Sequence, residues 1–277
     1  MVNNKEETMK IIDAHIHLFT GGHARDLARR AGHENSDEHL RSEYARLNIA
    51  GAVVMGNRSL ESDDHQYPEY LRYCIGLDSS SNFEADIKHT YAAVEQNLRR
   101  KNCVGVKLYP GYNRHYAYDS IYSPVYELAE QYDKPVAVHT GELVFASAQL
   151  KYCHPLTLDE TAVSFPRVRF VMCHLGNPWI VEAAAVLGKN HNVAADLSGL
   201  LEGMLDFPAY VREQEGYISH IKTWLAYLGA YDRLMFGTDW PLANIKNYID
   251  FVKILIPDRH HEAVFSDNAR RIYGLDF

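Results

Sequence analysis

Long apolar runs are missing from this 277-residue chain. None reaches the ~18 residues that a membrane span needs, and the N-terminus, MVNNKEETMK, is polar where a secretory signal would be apolar. A basic excess is missing too. Twenty-eight Lys and Arg face 36 Asp and Glu, a formal charge of −8, which speaks against the cationic face of a nucleic-acid binder. Cysteine is scarce: Cys74, Cys103, Cys153 and Cys173 show no CxxC pairing, so neither a disulfide framework nor a cysteine-rich zinc module is indicated. They read as reduced, mostly core-filling thiols of a cytoplasmic protein. Repeats, low-complexity tracts and linker-like stretches are absent as well. One domain over residues 10–277 is expected, preceded by a loose tail over 1–9. The length suits a single α/β barrel of ~250 residues.

What is present is a recurring pattern. Eight short segments are almost continuously apolar and β-branched until their last few residues: 11–17, 50–57, 71–78, 103–110, 135–141, 168–176, 192–199 and 233–241. That is the signature of strands covered on both faces. Most are separated by helical stretches. Ser123-Pro124 and Asn177-Pro178 each read as an N-cap with proline at the first helical position, and 84–100 starts acidic and ends basic, as the helix dipole favours. Such alternation predicts parallel strands with right-handed crossovers. Eight units predict an α/β fold closed as a (β/α)₈ TIM barrel. Long connections after strands 1, 5 and 7 (18–48, 142–166 and 200–231) would lie on the face that carries active sites.

The ends of these strands carry chemistry. Strand 1 closes with Asp13-Ala14-His15-Ile16-His17, and side-chain alternation turns His15 and His17 to one side. An isolated pair of that kind is more often structural. Here, however, Lys107 lies near the end of strand 4, and His139, His174 and Asp239 close strands 5, 6 and 8. A closed barrel brings six such groups to one centre, and burying them together is costly unless they are paired or hold a metal.

With those residues in view, the chain resembles the amidohydrolase superfamily, and within it the amidohydrolase-related branch that includes aminocarboxymuconate-semialdehyde decarboxylase. The motifs DAHIH, GVKLYP, VHTG, CHLGNPW, FGTDWP and NARRIYGL carry the resemblance, in the family's order, from residue 11 to the C-terminus. It implies that His15, His17, His139 and Asp239 ligate a divalent metal, with His174 as the acid/base or polarising group. Asp239 would also take a proton from the attacking water. Zn²⁺ suits imidazole ligands, as do Mn²⁺, Fe²⁺ and Co²⁺. In binuclear members a strand-4 lysine is carboxylated and bridges two ions. Lys107 with His139 and His174 fits that pattern too, so one ion is favoured and two stay open. Cys173, the neighbour of His174, is expected to face the helices.

The resemblance implies a hydrolase acting on an amide, ester or lactone of a small, carboxylate-bearing molecule. Nonoxidative decarboxylation or hydration of a small carboxylic acid is the alternative, and a noncatalytic metal-binding barrel a third reading. Pocket candidates are Arg58, Tyr109, Tyr112, Arg114, Glu142, Asn177 and Trp240, the arginines because their planar fork matches a carboxylate. The expected partner is a small-molecule substrate, with no nucleic acid and no membrane; a homo-oligomer stays open.

Overall fold

Each apolar run forms a strand shorter than the run itself. In the computed structural model, which describes residues 9–18, 20–78 and 83–277, β1 spans Ile11–Ile16, β2 Ile49–Met55, β3 Leu71–Leu77 and β4 Cys103–Leu108. β5 spans Val136–Val138, β6 Phe170–Met172, β7 Val193–Asp196 and β8 Leu234–Met235. The strands are parallel and ordered as in the sequence. The ring closes from β8 to β1, where Ala14 N donates to Phe236 O (2.9 Å) and His17 N to Trp240 O (2.8 Å). The expected (β/α)₈ TIM barrel is therefore what forms. Of the expected tail, residues 1–8 lie outside the described residues, and Met9 packs against the core.

After β1 come α1 (Gly22–Arg30) and α2 (Asp37–Leu47); after β3, α3 (Ile87–Leu98); after β4, α4 (Pro110–Asn113) and α5 (Ser123–Gln131). α6 (Leu156–Ser164) follows β5, and α7 (Ile180–Lys189) follows β6. α8 (Phe207–Glu213) and α9 (Glu215–Leu228) follow β7, and α10 (Ile245–Leu255) and α11 (Asn268–Tyr273) follow β8. No described helix is long and apolar enough to cross a membrane. The proline-marked starts are displaced from their expected places. Ser123 is the first helical residue rather than the cap. α7 begins at Ile180 because residues 173–176 first make a tight turn with His174 and Leu175 in the left-handed region.

Two apolar layers result. The larger lies between strands and helices. The smaller fills the barrel, where Ile12, Ala14, Val53, Met55, Ala137, Val171, Ala194 and Met235 meet Ala269, Ile272 and Tyr273 of α11, which plugs the barrel. Register places Lys107 level with Ala137, Val171 and Ala194, and those short side chains leave room for the long lysine. On the other side Gly56 and Gly76 touch backbone to backbone. A Cβ on Gly76 would meet Gly56 O at 1.8 Å. Gly76→Ala should therefore destabilise the fold by at least ~3 kcal/mol, the upper range of overpacking, measured by denaturant unfolding. A loss under about 1 kcal/mol would mean that β2 and β3 separate more easily than this contact allows.

Candidate metal centre

The centre starts from an irregularity in β1. Asp13 pairs with Ala52 and Ile16 with Val54, so Ala14 and His15 together oppose Val53, which is a β-bulge. It leaves Asp13 on the outer side, where Tyr44 OH on α2 (2.9 Å) and Thr238 Oγ1 (2.7 Å) donate to it. His15 and His17 turn inward together, as alternation predicts. Their Nε2 atoms lie 3.3 Å apart, and Asp239 Oδ1 stands 3.6 Å from His15 Nε2 and 3.3 Å from His17 Nε2. All three residues are buried.

The far side of each ring decides which nitrogen is bare. His15 Nδ1 donates to Asp196 Oδ2 (2.9 Å). His17 Nδ1 faces two acceptors, Asn57 Oδ1 (2.5 Å) and Met55 O (3.2 Å). The Asn57 amide is oriented in turn, since its Nδ2 donates to Asp78 Oδ2 (3.0 Å). With both Nδ1 protons spent on oxygen, both Nε2 atoms present lone pairs to the centre. Burial, with Lys107, pushes His15 down to about 3, against the pull of Asp196, so the ring is neutral. Burial opposes ionisation of Asp196, yet the hydrogen bond from His15, with His174 and Lys107 nearby, keeps that carboxyl well below its ordinary range. Asp239 Oδ1 is buried and takes no hydrogen bond. Lone pairs on two imidazole nitrogens and a buried carboxylate oxygen at such distances repel one another unless a cation sits among them. His15, His17 and Asp239 thus fit a divalent metal ion, and among the described residues they form one of two convergent donor groups. The other, His15 with Cys173 and Asp196, shares His15 and includes its bond to Asp196.

His139 and His174 stand beside this trio. His139 donates from Nε2 to Glu142 O (2.9 Å), and its Nδ1 lies 3.1 Å from His174 Nε2. His174 Nδ1 lies 2.9 Å from Ser198 Oγ and 3.9 Å from Asp239 Oδ2. His174 and Asp239 both adopt positive φ, 61° and 55°, a strain of ~1–3 kcal/mol each that the surroundings must hold. They do so through Asp196 Oδ1, which accepts from His174 N (3.0 Å), and His15 O, which accepts from Asp239 N (2.9 Å). The left-handed turn also corrects the expectation for Cys173. Val171 of β6 and Cys173, the first residue after it, both face the barrel interior, and His174 reaches the centre only because the chain turns there. Cys173 therefore faces the barrel interior, where Lys107 Nζ donates to its sulfur (2.8 Å) and lies 5.3 Å from the Tyr109 ring centre.

Above the trio lies a cavity of about 190 Å³ lined by His139, Glu142, Leu143, Val144, His174, Asn177, Gly199, Glu202, Asp239 and Leu242. Of the expected pocket residues, Glu142 and Asn177 line it. Tyr112 borders it, its OH accepting from Val144 N (3.2 Å). Tyr109 is buried, with its OH on Gly56 O (3.1 Å). Trp240 is buried behind Asp239, its ring centre 4.7 Å from that of His33. Arg58 donates to Asp64 O and stacks on Tyr67, and Arg114 donates to Ser147 O. Neither arginine lines the cavity, because each is held by a carbonyl of a rim loop. Asp196, Asn57, Asp78 and Glu202 escaped the sequence reading. Asp196 had a usable signal, as the acidic last residue of an apolar strand.

The family described as amidohydrolase matches residues 12–275. The fold is similar to that of an uncharacterised TIM-barrel protein from Bordetella bronchiseptica (20% identity, 96% of this chain and 98% of that one, TM-score 0.71). It is also similar to an amidohydrolase from Burkholderia multivorans with bound zinc (16%, 96% and 100%, 0.64). A third similar structure is 2,6-dihydroxybenzoate decarboxylase complexed with 2,6-dihydroxybenzoate (15%, 97% and 100%, 0.68). No curated protein sequence matches significantly.

Asp196→Asn should weaken metal affinity ~10- to 100-fold, as loss of a partner behind a ligand does, measured by chelator competition; unchanged affinity would remove Asp196 from that role. His33, packed at a tilt against Trp240, is pushed down to about 4, first by burial and then by His39. The unfolded chain then takes up its proton before the folded one, so stability falls as pH drops from 6.5 to about 4. His33→Gln should flatten that slope in unfolding curves recorded across the interval, and an identical slope would refute it.

Proposed function

This chain belongs to the amidohydrolase family, and from that premise we propose that it is a metal-dependent hydrolase of an amide, ester or lactone. His15, His17 and Asp239 would hold the cation, with His139 beside them as the fourth ligand. The observation that carries the reading is the meeting of two proton-free imidazole nitrogens with an unpartnered, buried carboxylate oxygen. His139 joins them because its Nε2 proton is spent on Glu142 O, leaving Nδ1 as its lone pair. When bound, a divalent ion with an open position brings the pKa of water to ~7 and polarises a carbonyl oxygen.

The chain's own groups do the rest. Asp239 would help hold the ion, and its Oδ2, 3.9 Å from His174 Nδ1, would serve as the proton acceptor and donor of the reaction. His174 donates a hydrogen bond to the oxygen on which charge develops. One ion is proposed, since the Lys107 amine donates to the Cys173 sulfur. Zinc is the proposed ion, on imidazole ligation and on the zinc bound in the similar Burkholderia multivorans structure. Decarboxylation or hydration at the same centre is the competing reading, favoured by the likeness to 2,6-dihydroxybenzoate decarboxylase.

Zinc-loaded protein should release acid from members of an ester, lactone and amide panel and no CO₂ from aromatic carboxylates. Asp239→Asn should lower kcat by on the order of 10²–10⁴ while leaving the fold cooperative. CO₂ release without acid release would hand the site to the decarboxylase reading, and full activity of Asp239→Asn would refute the proton role.

A further inference from the structure

β7 ends on Asp196, and the chain continues as Leu197-Ser198-Gly199. Alternation puts Asp196 and Ser198 on one side and Leu197 on the other, and Leu197 packs in the layer between strands and helices. This turn is pinned on both sides. Leu197 N donates to Met235 O (2.9 Å), and the Tyr248 hydroxyl donates to Leu197 O (2.5 Å) while accepting from Leu200 N (2.9 Å). Ser198 is fully buried. Its hydroxyl lies 2.5 Å from Asp196 Oδ1 and 2.9 Å from His174 Nδ1.

The direction of these two bonds follows from counting protons. A hydroxyl has one proton to give and lone pairs with which to receive. Asp196 is ionised and can only accept, so the Ser198 proton goes to Oδ1. Ser198 Oγ then has only lone pairs for His174, and Nδ1 carries the proton that joins them. Asp239 Oδ2, at 3.9 Å from Nδ1, is beyond hydrogen-bond reach. Nε2 is thereby the nitrogen turned to the centre, 3.1 Å from His139 Nδ1. Gly199 completes the fit, since a Cβ there would stand 2.7 Å from His174 Nδ1 and 3.2 Å from its Cγ and would push the ring off the hydroxyl. One carboxylate in this way governs two rings: Asp196 Oδ2 takes the His15 proton directly, and Oδ1 reaches His174 through a single hydroxyl.

We propose that Ser198 is a positioning residue for the reaction: its hydroxyl, committed to Asp196, keeps a proton on His174 Nδ1 and so makes Nε2 the atom through which His174 meets the substrate. This rests on the role of His174 in the metal-centre reading above and deepens it. When His174 donates, its ring carries a proton on each nitrogen. Ser198 holds the one on Nδ1, so the proton offered to the substrate oxygen is the one on Nε2. Without the hydroxyl, Nδ1 loses its acceptor and the ring can rotate or exchange its tautomer. In Ser198→Ala, Asp196 keeps its bonds from His15 Nδ1, His174 N and the backbone N of residue 198, so only the link to the His174 ring is lost.

Nitrogen-15 NMR of the histidine rings in the zinc-loaded full chain tests this, with the His174 signals assigned by their loss in His174→Gln. Nδ1 of the wild type should show the shift of a protonated, pyrrole-type nitrogen, and in Ser198→Ala it should move towards that of an unprotonated one. On the panel member that the wild type cleaves, Ser198→Ala should lower kcat ~10- to 100-fold, the usual loss for a partner behind a functional histidine, with KM within about threefold. Zinc affinity by chelator competition should stay within about threefold of wild type, in contrast to Asp196→Asn. An unprotonated Nδ1 in the wild type, a shift that Ser198→Ala leaves in place, or an unchanged kcat would overturn the proposal. So would a loss of zinc affinity as large as the loss of turnover, which would make Ser198 a support of the ion instead. The ring signature needs no substrate, and this separates the two claims. Nδ1 protonation that depends on Ser198 in a protein that cleaves nothing on the panel sinks hydrolysis and keeps the hold on His174; cleavage that Ser198→Ala does not slow sinks only the positioning role.

Discussion

Lone pairs that face one another with no proton between them are the constraint around which the rest of this molecule is arranged. His15 and His17 bring Nε2 atoms to 3.3 Å because Asp196 and Asn57 have taken the protons from the opposite sides of the rings. Asp196 holds the His15 proton, whereas the His17 proton is shared between Asn57 Oδ1 and Met55 O. Asp196 bears a double duty, since its second oxygen also holds the His174 backbone and Ser198. Asn57 passes the same requirement outward to Asp78. The polar network behind the centre is thus as necessary as the residues that face it, in keeping with the general behaviour of metal-binding histidines.

The barrel makes this arrangement affordable. Strained residues need surroundings that over-determine them. His174 and Asp239 sit at strand ends, just beyond the last paired residues of β6 and β8, and are pinned by hydrogen bonds to neighbouring strand ends. Below them the bore is filled by alanine, valine, methionine and the α11 plug. A rigid, dry floor leaves Lys107 buried against Cys173 and Tyr109, away from the cavity. Above, the loops after β5 and β7 supply Glu142 and Glu202. The donor groups of the centre thus come from strand ends, while the cavity wall comes largely from loops.

Family membership fits both hydrolysis and decarboxylation, and the similar structures include both an amidohydrolase and a decarboxylase. Loop chemistry is what distinguishes members of such a fold.

Periodicity and residue type alone determined the barrel and the convergence of its donors. Covered parallel strands must be apolar along their length, so polar residues stand out where those strands end. His15, His17 and Asp239 could be read directly on that ground. Depth and direction were decided only by the tertiary structure. A bulge after Asp13 turned His15 inward, a left-handed turn exchanged the facings of Cys173 and His174, and carbonyls on rim loops drew Arg58 and Arg114 away from the cavity. Each depends on a backbone torsion or on a partner distant in the chain, and neither leaves a periodic trace in the residues themselves.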